Sequence, residues 1–145
     1  MMSPALFTCK LQVAKIECGA DHSLCLTKEG RVYHWGSYYL NSKKGEKVRH
    51  GIANEPRLVE SLAEHVIVDI ACGTGHNLAM TESMKMYSWG TGCQGELGIG
   101  PNNLGNYQDA VPVSFNGKVS SISAGIVHSC AITTEKRLLV WGNNR

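Results

Sequence analysis

Residues 16–36, IECGADHSLCLTKEGRVYHWG, align without a gap to residues 70–90, IACGTGHNLAMTESMKMYSWG, and to residues 122–142, ISAGIVHSCAITTEKRLLVWG. A self-similar unit at a fixed spacing of a few tens of residues restricts the chain to a repeat architecture, in which each unit buries the apolar face of its neighbour. His22, His76 and His128 are spaced by 54 and 52 residues, and Trp35, Trp89 and Trp141 keep the same spacing. Six positions are identical in every copy. They are an opening Ile (Ile16, Ile70, Ile122), a Gly (Gly19, Gly73, Gly125), the His, a Thr (Thr27, Thr81, Thr133) and the closing Trp-Gly pair that ends in Gly36, Gly90 and Gly142.

The pattern inside each copy is β. Apolar residues nearly alternate in two short runs, residues 22–27 and 32–35 in the first copy, separated by Lys28, Glu29, Gly30 and Arg31, which reads as a hairpin. Gly30 suits the positive φ such a turn needs. The equivalent residues are Met84 and Lys136, so those two turns are expected to be of a different type. Residues 13–16, 66–72 and 119–124 supply a third strand, and a fourth is expected near residues 57–59 and 111–113. Three or four antiparallel strands per unit of roughly 50 residues is the arithmetic of a β-propeller blade. The expected organisation is one all-β domain over 1–145, with units near 16–69, 70–121 and 122–145, the last truncated.

Composition narrows the function. The net charge is +2, too small for nucleic-acid or membrane binding to follow from global electrostatics. No run approaches the roughly 18 consecutive apolar residues of a membrane span. Pro4, Ala5, Leu6 and Phe7 are too short a run for a secretory leader, so an intracellular chain, cytoplasmic or nuclear, is expected. The six cysteines form no CxxC pair and no cluster with histidine. Cys18 and Cys72 share the slot of Ala124, Cys25 that of Ala79, and Cys130 that of Leu24, which reads as small buried hydrophobes. Cys93, in a glycine-rich loop, is expected to be the exposed one.

The repeated residues read as structural. Each Trp-Gly ends a strand with a large apolar side chain to be packed between blades, whose truncation to Ala would cost about 3–5 kcal/mol. One His per blade cannot converge within about 2.1 Å of one metal ion, so His22, His76 and His128 are expected to tie strand to loop by hydrogen bonds. Gly90, Gly92 and Gly95 match G-x-G-x-x-G by letter, but the residues that follow cannot open a helix, so no dinucleotide site is expected. Neither a nucleophile elbow nor a phosphate-binding loop is present. The expectation is a chain without covalent catalysis, cofactor or metal.

The pattern I-x-C/A-G-x-x-H-S/N-L-x-L/M-T, closed by Trp-Gly and continued by Gln94, Gly95, Glu96, Leu97 and Gly98 and a later Pro56 or Pro112, closely resembles the repeat of the regulator of chromosome condensation family. The resemblance implies a seven-bladed propeller, of which 145 residues supply only about two and a half to three blades. Two readings stand: a fragment of a longer protein, which the stop soon after Trp141 and Gly142 favours, or a short chain that self-associates through open blade edges. Family members resembling this chain act as protein-interaction scaffolds, as guanine nucleotide exchange factors for small GTPases, or as partner-binding arms of ubiquitin ligases and kinases. Chromatin binding is disfavoured, because Ala5, Leu6 and Phe7 stand where a basic tail would be needed.

One segment departs from the repeat. Residues 42–50 carry Lys43, Lys44, Lys47 and Arg49 against a single Glu46, a local +3 while the remainder of the chain sums to −1. They replace the Gln94 to Gly98 motif of the second copy. The expectation is either a solvated loop or a contact for an acidic protein surface or phosphate.

Overall fold

The computed structural model describes residues 11–143, so the readings of residues 1–9, Cys9 included, and of Asn144 and Arg145 lie outside the described residues. Twelve strands are present among them, with two short 3-10 turns at Glu60–Leu62 and Pro101–Asn103 and no α-helix. The first blade is the sheet β1-β2-β3-β5, made of β1 (Val13–Cys18), β2 (His22–Thr27), β3 (Val32–Tyr39) and β5 (His50–Leu58). The second is β6 (Ile67–Cys72), β7 (His76–Thr81), β8 (Met86–Gly90) and β9 (Gly105–Pro112), with the two-residue β4 (Ser42–Lys43) added on the edge of β9. The third holds β10 (Val119–Ala124), β11 (His128–Thr133) and β12 (Leu138–Gly142). The fourth strands are longer than the sequence reading gave them. Ile16, Ile70 and Ile122, where the sequence units begin, stand inside β1, β6 and β10.

Registers repeat as the sequence does. Ile16 faces Cys25, Ile70 faces Ala79 and Ile122 faces Ala131, and each first strand carries a bulge just after its opening residue. His22, His76 and His128 face Gly36, Gly90 and Gly142. A Cβ on Gly36 or Gly90 would overlap the carbonyl of Asp21 or Gly75, and both backbones have positive φ (85° and 101°), so only glycine fits after the Trp.

The expectation that the hairpin turns differ in type is wrong. Gly30, Met84 and Lys136 have φ of 83°, 66° and 66°, and all three turns close with the same bond, from the N–H of that residue to the carbonyl of Thr27, Thr81 or Thr133. The repeated threonine explains the uniformity. Its hydroxyl accepts the N–H of Arg31, Lys85 or Arg137 at 3.0–3.1 Å, fixing the turn irrespective of the residue at the left-handed position. Met84 and Lys136 therefore carry strain that Gly30 does not.

The core lies between blades. Leu24, Leu26, Val32 and Leu62 of the first unit pack against Ile67, Ile70, Ala79 and Trp89 of the second. Leu78, Met80 and Met86 of the second pack against Val119, Ile122 and Ala131 of the third. The middle blade is thus covered on both faces: every residue of β7 is buried. The outer blades are not. Ile16 is 66% exposed where Ile70 is 0%, and Leu138 is 68% exposed where Val32 is 1%. Among the described residues no helix is long and apolar enough to cross a membrane.

Candidate protein-interaction surfaces

The seam between second and third blades is closed by the loop after Gly90. Gly92 leaves room for Leu97, which is fully buried, and Glu96 is buried beside it. The Glu96 carbonyl accepts from Ser129 Oγ (2.8 Å) and Trp141 Nε1 (2.9 Å), the Leu97 carbonyl from Ser88 Oγ (2.7 Å), and the Gly98 carbonyl from the Ser114 N–H (2.8 Å). The Glu96 carboxylate accepts the Gln94 N–H at 2.8 Å, so the loop braces itself. The Gln94 to Gly98 motif is a staple over a blade seam.

His22 and His76 join blades, which corrects the expectation of a strand-to-loop tie. His22 Nε2–H donates to Asn77 Oδ1 at 2.6 Å, from β2 of one blade to β7 of the next. His76 Nε2 lies 2.8 Å from Ser129 Oγ on β11. Because that hydroxyl spends its proton on the Glu96 carbonyl, His76 Nε2–H is the donor. Its Nδ1 is buried with no hydrogen-bond partner, which suits a bare lone pair and a neutral ring. Burial pushes the His76 pKa down to about 4 and lowers that of His22. Each ring lies so close to the glycine three residues earlier that a Cβ on Gly19, Gly73 or Gly125 would overlap it. The tryptophans differ by position: Trp89 is 5% exposed in the first seam, whereas Trp35 and Trp141 are half-buried.

The reading of the cysteines as buried holds for Cys25 among the described residues, whereas Cys72 and Cys130 are half-buried. Cys18 is exposed, on the open face of the first blade, rather than buried; Cys93 is half-buried rather than exposed, its Sγ 3.8 Å from Asn106 Oδ1. Burial pushes the Cys72 thiol up to about 12, so it stays protonated and donates to Asn77 Oδ1 at 3.3 Å.

The basic segment is a hairpin tip, held on the neighbouring blade. β3 runs on through Gly36 to Tyr39, which faces His50, and β4 then pairs with β9, Ser42 opposite Asn106 and Lys43 opposite Gly105. Asn106 Nδ2 donates to Ser42 Oγ (2.8 Å), the Gln108 N–H to Asn41 Oδ1 (2.7 Å) and the Lys44 N–H to the Leu104 carbonyl (3.1 Å). Glu46 is consumed within the turn, its carboxylate accepting the Lys43 N–H at 3.0 Å. Lys43, Lys44, Lys47 and Arg49 are exposed, and the ion pairs among the described residues are Lys15 with Glu17 and with Asp69, so none of the four is neutralised. The structure brings these four cations to one tip, on a strand that pairs with β9.

A cavity of about 360 Å³ opens between the first and second blades, walled by His34, Tyr38, Val59, Asn77 and Trp89 with Arg57, Glu60 and Asp109 at its rim. Sequence reasoning missed it. Its signal is the absence of the Gln94 to Gly98 motif from the first unit, together with Tyr38 standing where the second unit has Gly92.

The regulator of chromosome condensation (RCC1) repeat models match residues 13–42, 67–96 and 119–145, and also residues 29–80. The chain is 37% identical over 131 residues to the RCC1 domain-containing protein RUG3, mitochondrial, of Arabidopsis thaliana, covering 90% of this chain and 29% of that protein. It is 33% identical over 141 residues to the E3 ubiquitin-protein ligase HERC2 of Homo sapiens, covering 96% of this chain and 3% of that one. Yeast RCC1 (Prp20), solved bound to Kap60, superposes with a TM-score of 0.74 at 26% identity over 90% of this chain and 32% of that one. The chain therefore spans a third or less of these proteins, and its three sheets are part of a propeller. With more than half of its residues inside the repeat models, the chain belongs to the regulator of chromosome condensation (RCC1) repeat family.

Proposed function

We propose that this chain is a non-catalytic propeller scaffold that binds protein partners, with the basic hairpin tip as one contact surface. The observation that carries the reading is the set of four unpaired cations held in place by the next blade. Ordering such a segment in advance lowers the entropy lost on binding. An acidic protein surface is the partner its charge fits. The working place in this reading is inside the cell.

Regulation of a small GTPase is a second reading, supported by likeness to Prp20p of Saccharomyces cerevisiae, whose structure is described together with its binding properties to Gsp1p and histones. The likeness to HERC2 supports a third, a partner-binding arm within a longer ubiquitin ligase. Quantitative affinity purification separates contact from bystander: changing Lys43, Lys44, Lys47 and Arg49 to Glu is expected to lower partner recovery at least about tenfold, with the wild-type interaction weakened by salt. Unchanged recovery sinks the tip as a contact. Nucleotide-release assays on GTPases decide the second reading, since an exchange factor accelerates release and a scaffold leaves it alone.

A further inference from the structure

The two seams of this chain are built from equivalent positions, yet only one is filled. In the second seam, Ser88, Ser129 and Trp141 each donate to a carbonyl of the Glu96–Leu97 pair, and Ser114 donates its main-chain N–H. The same positions in the first seam are His34, Asn77, Trp89 and Glu60, and all four line the cavity. The loop that would fill it has gone elsewhere: the chain after Gly36 continues as β3 and reaches over to β9. It cannot fold back as its counterpart does, because Tyr38 occupies the place of Gly92, stacking on Arg57 at 5.4 Å and lying over Gly51.

What is left is a cavity whose lining carries donors at two of the positions that hold the staple in the second seam, with the Glu60 and Asp109 carboxylates also along it. Trp89 and Asn77 are each 5% exposed. Among the described residues Trp89 Nε1–H has no hydrogen-bond partner, and Asn77, whose Oδ1 already takes His22 and Cys72, has no partner for its Nδ2. Neither atom is sealed from solvent, since the buried side-chain polar atom without a partner among the described residues is His76 Nδ1, so an incoming acceptor would take the place of water at both donors. Val59 offers the apolar wall that Val113 offers to the staple in the second seam. The volume lies at the lower end of small-ligand sites, about 300–1,000 Å³, which suits a short peptide turn and excludes a folded element.

We propose that this cavity is a peptide-binding site that receives a Gly-Glu-Leu-Gly-type turn from a partner protein, its main-chain carbonyls accepting from Trp89 Nε1–H and Asn77 Nδ2–H and its leucine packing on Val59. The proposal rests on the reading of the chain as a protein-binding scaffold but uses a different surface from the hairpin tip. The test is a titration of the ¹⁵N-labelled 145-residue chain with acetyl-Gln-Gly-Glu-Leu-Gly-amide, followed by NMR. The Trp89 indole N–H resonance is expected to move along a saturable curve, while that of Trp141, already bonded to the Glu96 carbonyl, stays still. No saturable shift at millimolar peptide, or equal movement of both indoles, overturns the proposal. Trp89→Phe keeps a ring and loses the donor, and is expected to weaken binding about tenfold; the wild-type titration decides the matter even if that variant does not fold. The chain with all four tip cations changed to Glu is expected to keep the full response, so failure of the tip as a contact and failure of this site are read separately.

Discussion

His76 makes stability fall with acid in a window that the structure defines. The ring is fully buried, gives its Nε2 proton to Ser129 and keeps Nδ1 bare, so protonation would place a charge where no group receives it. The folded-state pKa of about 4 lies below the ordinary 6.5. On lowering the pH the unfolded chain takes up the proton first, so the stabilisation is complete above about pH 6.5 and is lost progressively down to about pH 4. A difference of roughly 2.5 pKa units at about 1.4 kcal/mol each gives about 3 kcal/mol over that window. Urea denaturation at several pH values, on the wild type and on His76→Gln, measures it, the variant retaining an amide N–H for Ser129 without a titratable ring. The wild type is expected to lose about 3 kcal/mol more than the variant between pH 7 and 4. Parallel pH profiles for the two proteins would refute the neutral, buried imidazole. Burial lowers the pKa of His22 as well, so the double variant is expected to have the flatter profile.

Equivalent substitutions are expected to differ by blade. Ile70→Ala, at a position with no exposure, is expected to cost about 3 kcal/mol by chemical denaturation, and Ile16→Ala, two-thirds exposed, under about 1 kcal/mol; equal costs would contradict an open first face. Met84→Gly is expected to raise stability by about 0.5–1 kcal/mol, since it removes left-handed strain from an exposed residue. Gly30→Ala is expected to lower it, because its Cβ would meet Val66 Cγ1 at 2.7 Å and Ile67 N at 3.0 Å. Melting temperatures of the two variants moving in the same direction would break the turn argument.

The repeat made the blades legible because the residues that set them recur at the same register: Ile at the bulged strand, His opposite the Trp-Gly glycine, Thr at the turn. The direction of the histidine bond was not legible. Nothing in one copy reveals that its partner, Asn77 or Ser129, is the residue next to the histidine of the following copy, since that requires knowing how blades stack. The turns were misread for a related reason. Propensity argued against Met84 and Lys136 at positive φ, but the threonine hydroxyl and the contact to the next blade, Val119 N–H to the Met84 carbonyl at 3.0 Å, override a local preference. Cys18 was misplaced because its slot is covered by a preceding blade in the second and third units, where Cys72 and Ala124 are half-buried, and lies open in the first. The cavity left its trace as a missing motif, and its shape depends on where the departing chain goes.

The stacking rule also decides what the two open faces do. In each internal seam the face bearing Leu26 and Val32, or Met80 and Met86, mates with the face bearing Ile70 or Ile122 of the next blade. The third blade leaves the first kind open, with Ile132, Leu138 and Val140 exposed by 42%, 68% and 41%, and the first blade leaves the second kind open at Ile16. The polar ladder continues the match: the residue equivalent to Asn77 and Ser129 is Ser23, so His128 of one copy has its counterpart partner on the first blade of another. Such a contact is head-to-tail rather than two-fold, and grows or closes according to its rotation. Sedimentation velocity on the 145-residue chain is expected to show species that increase with concentration, and Leu138→Glu, which puts a charge on one face only, is expected to return it to monomer. A wild type that stays monomeric throughout the concentration range would mean that apolar area and one histidine bond per seam do not overcome the entropy of association, and that covalent continuity between blades is what holds the internal seams together.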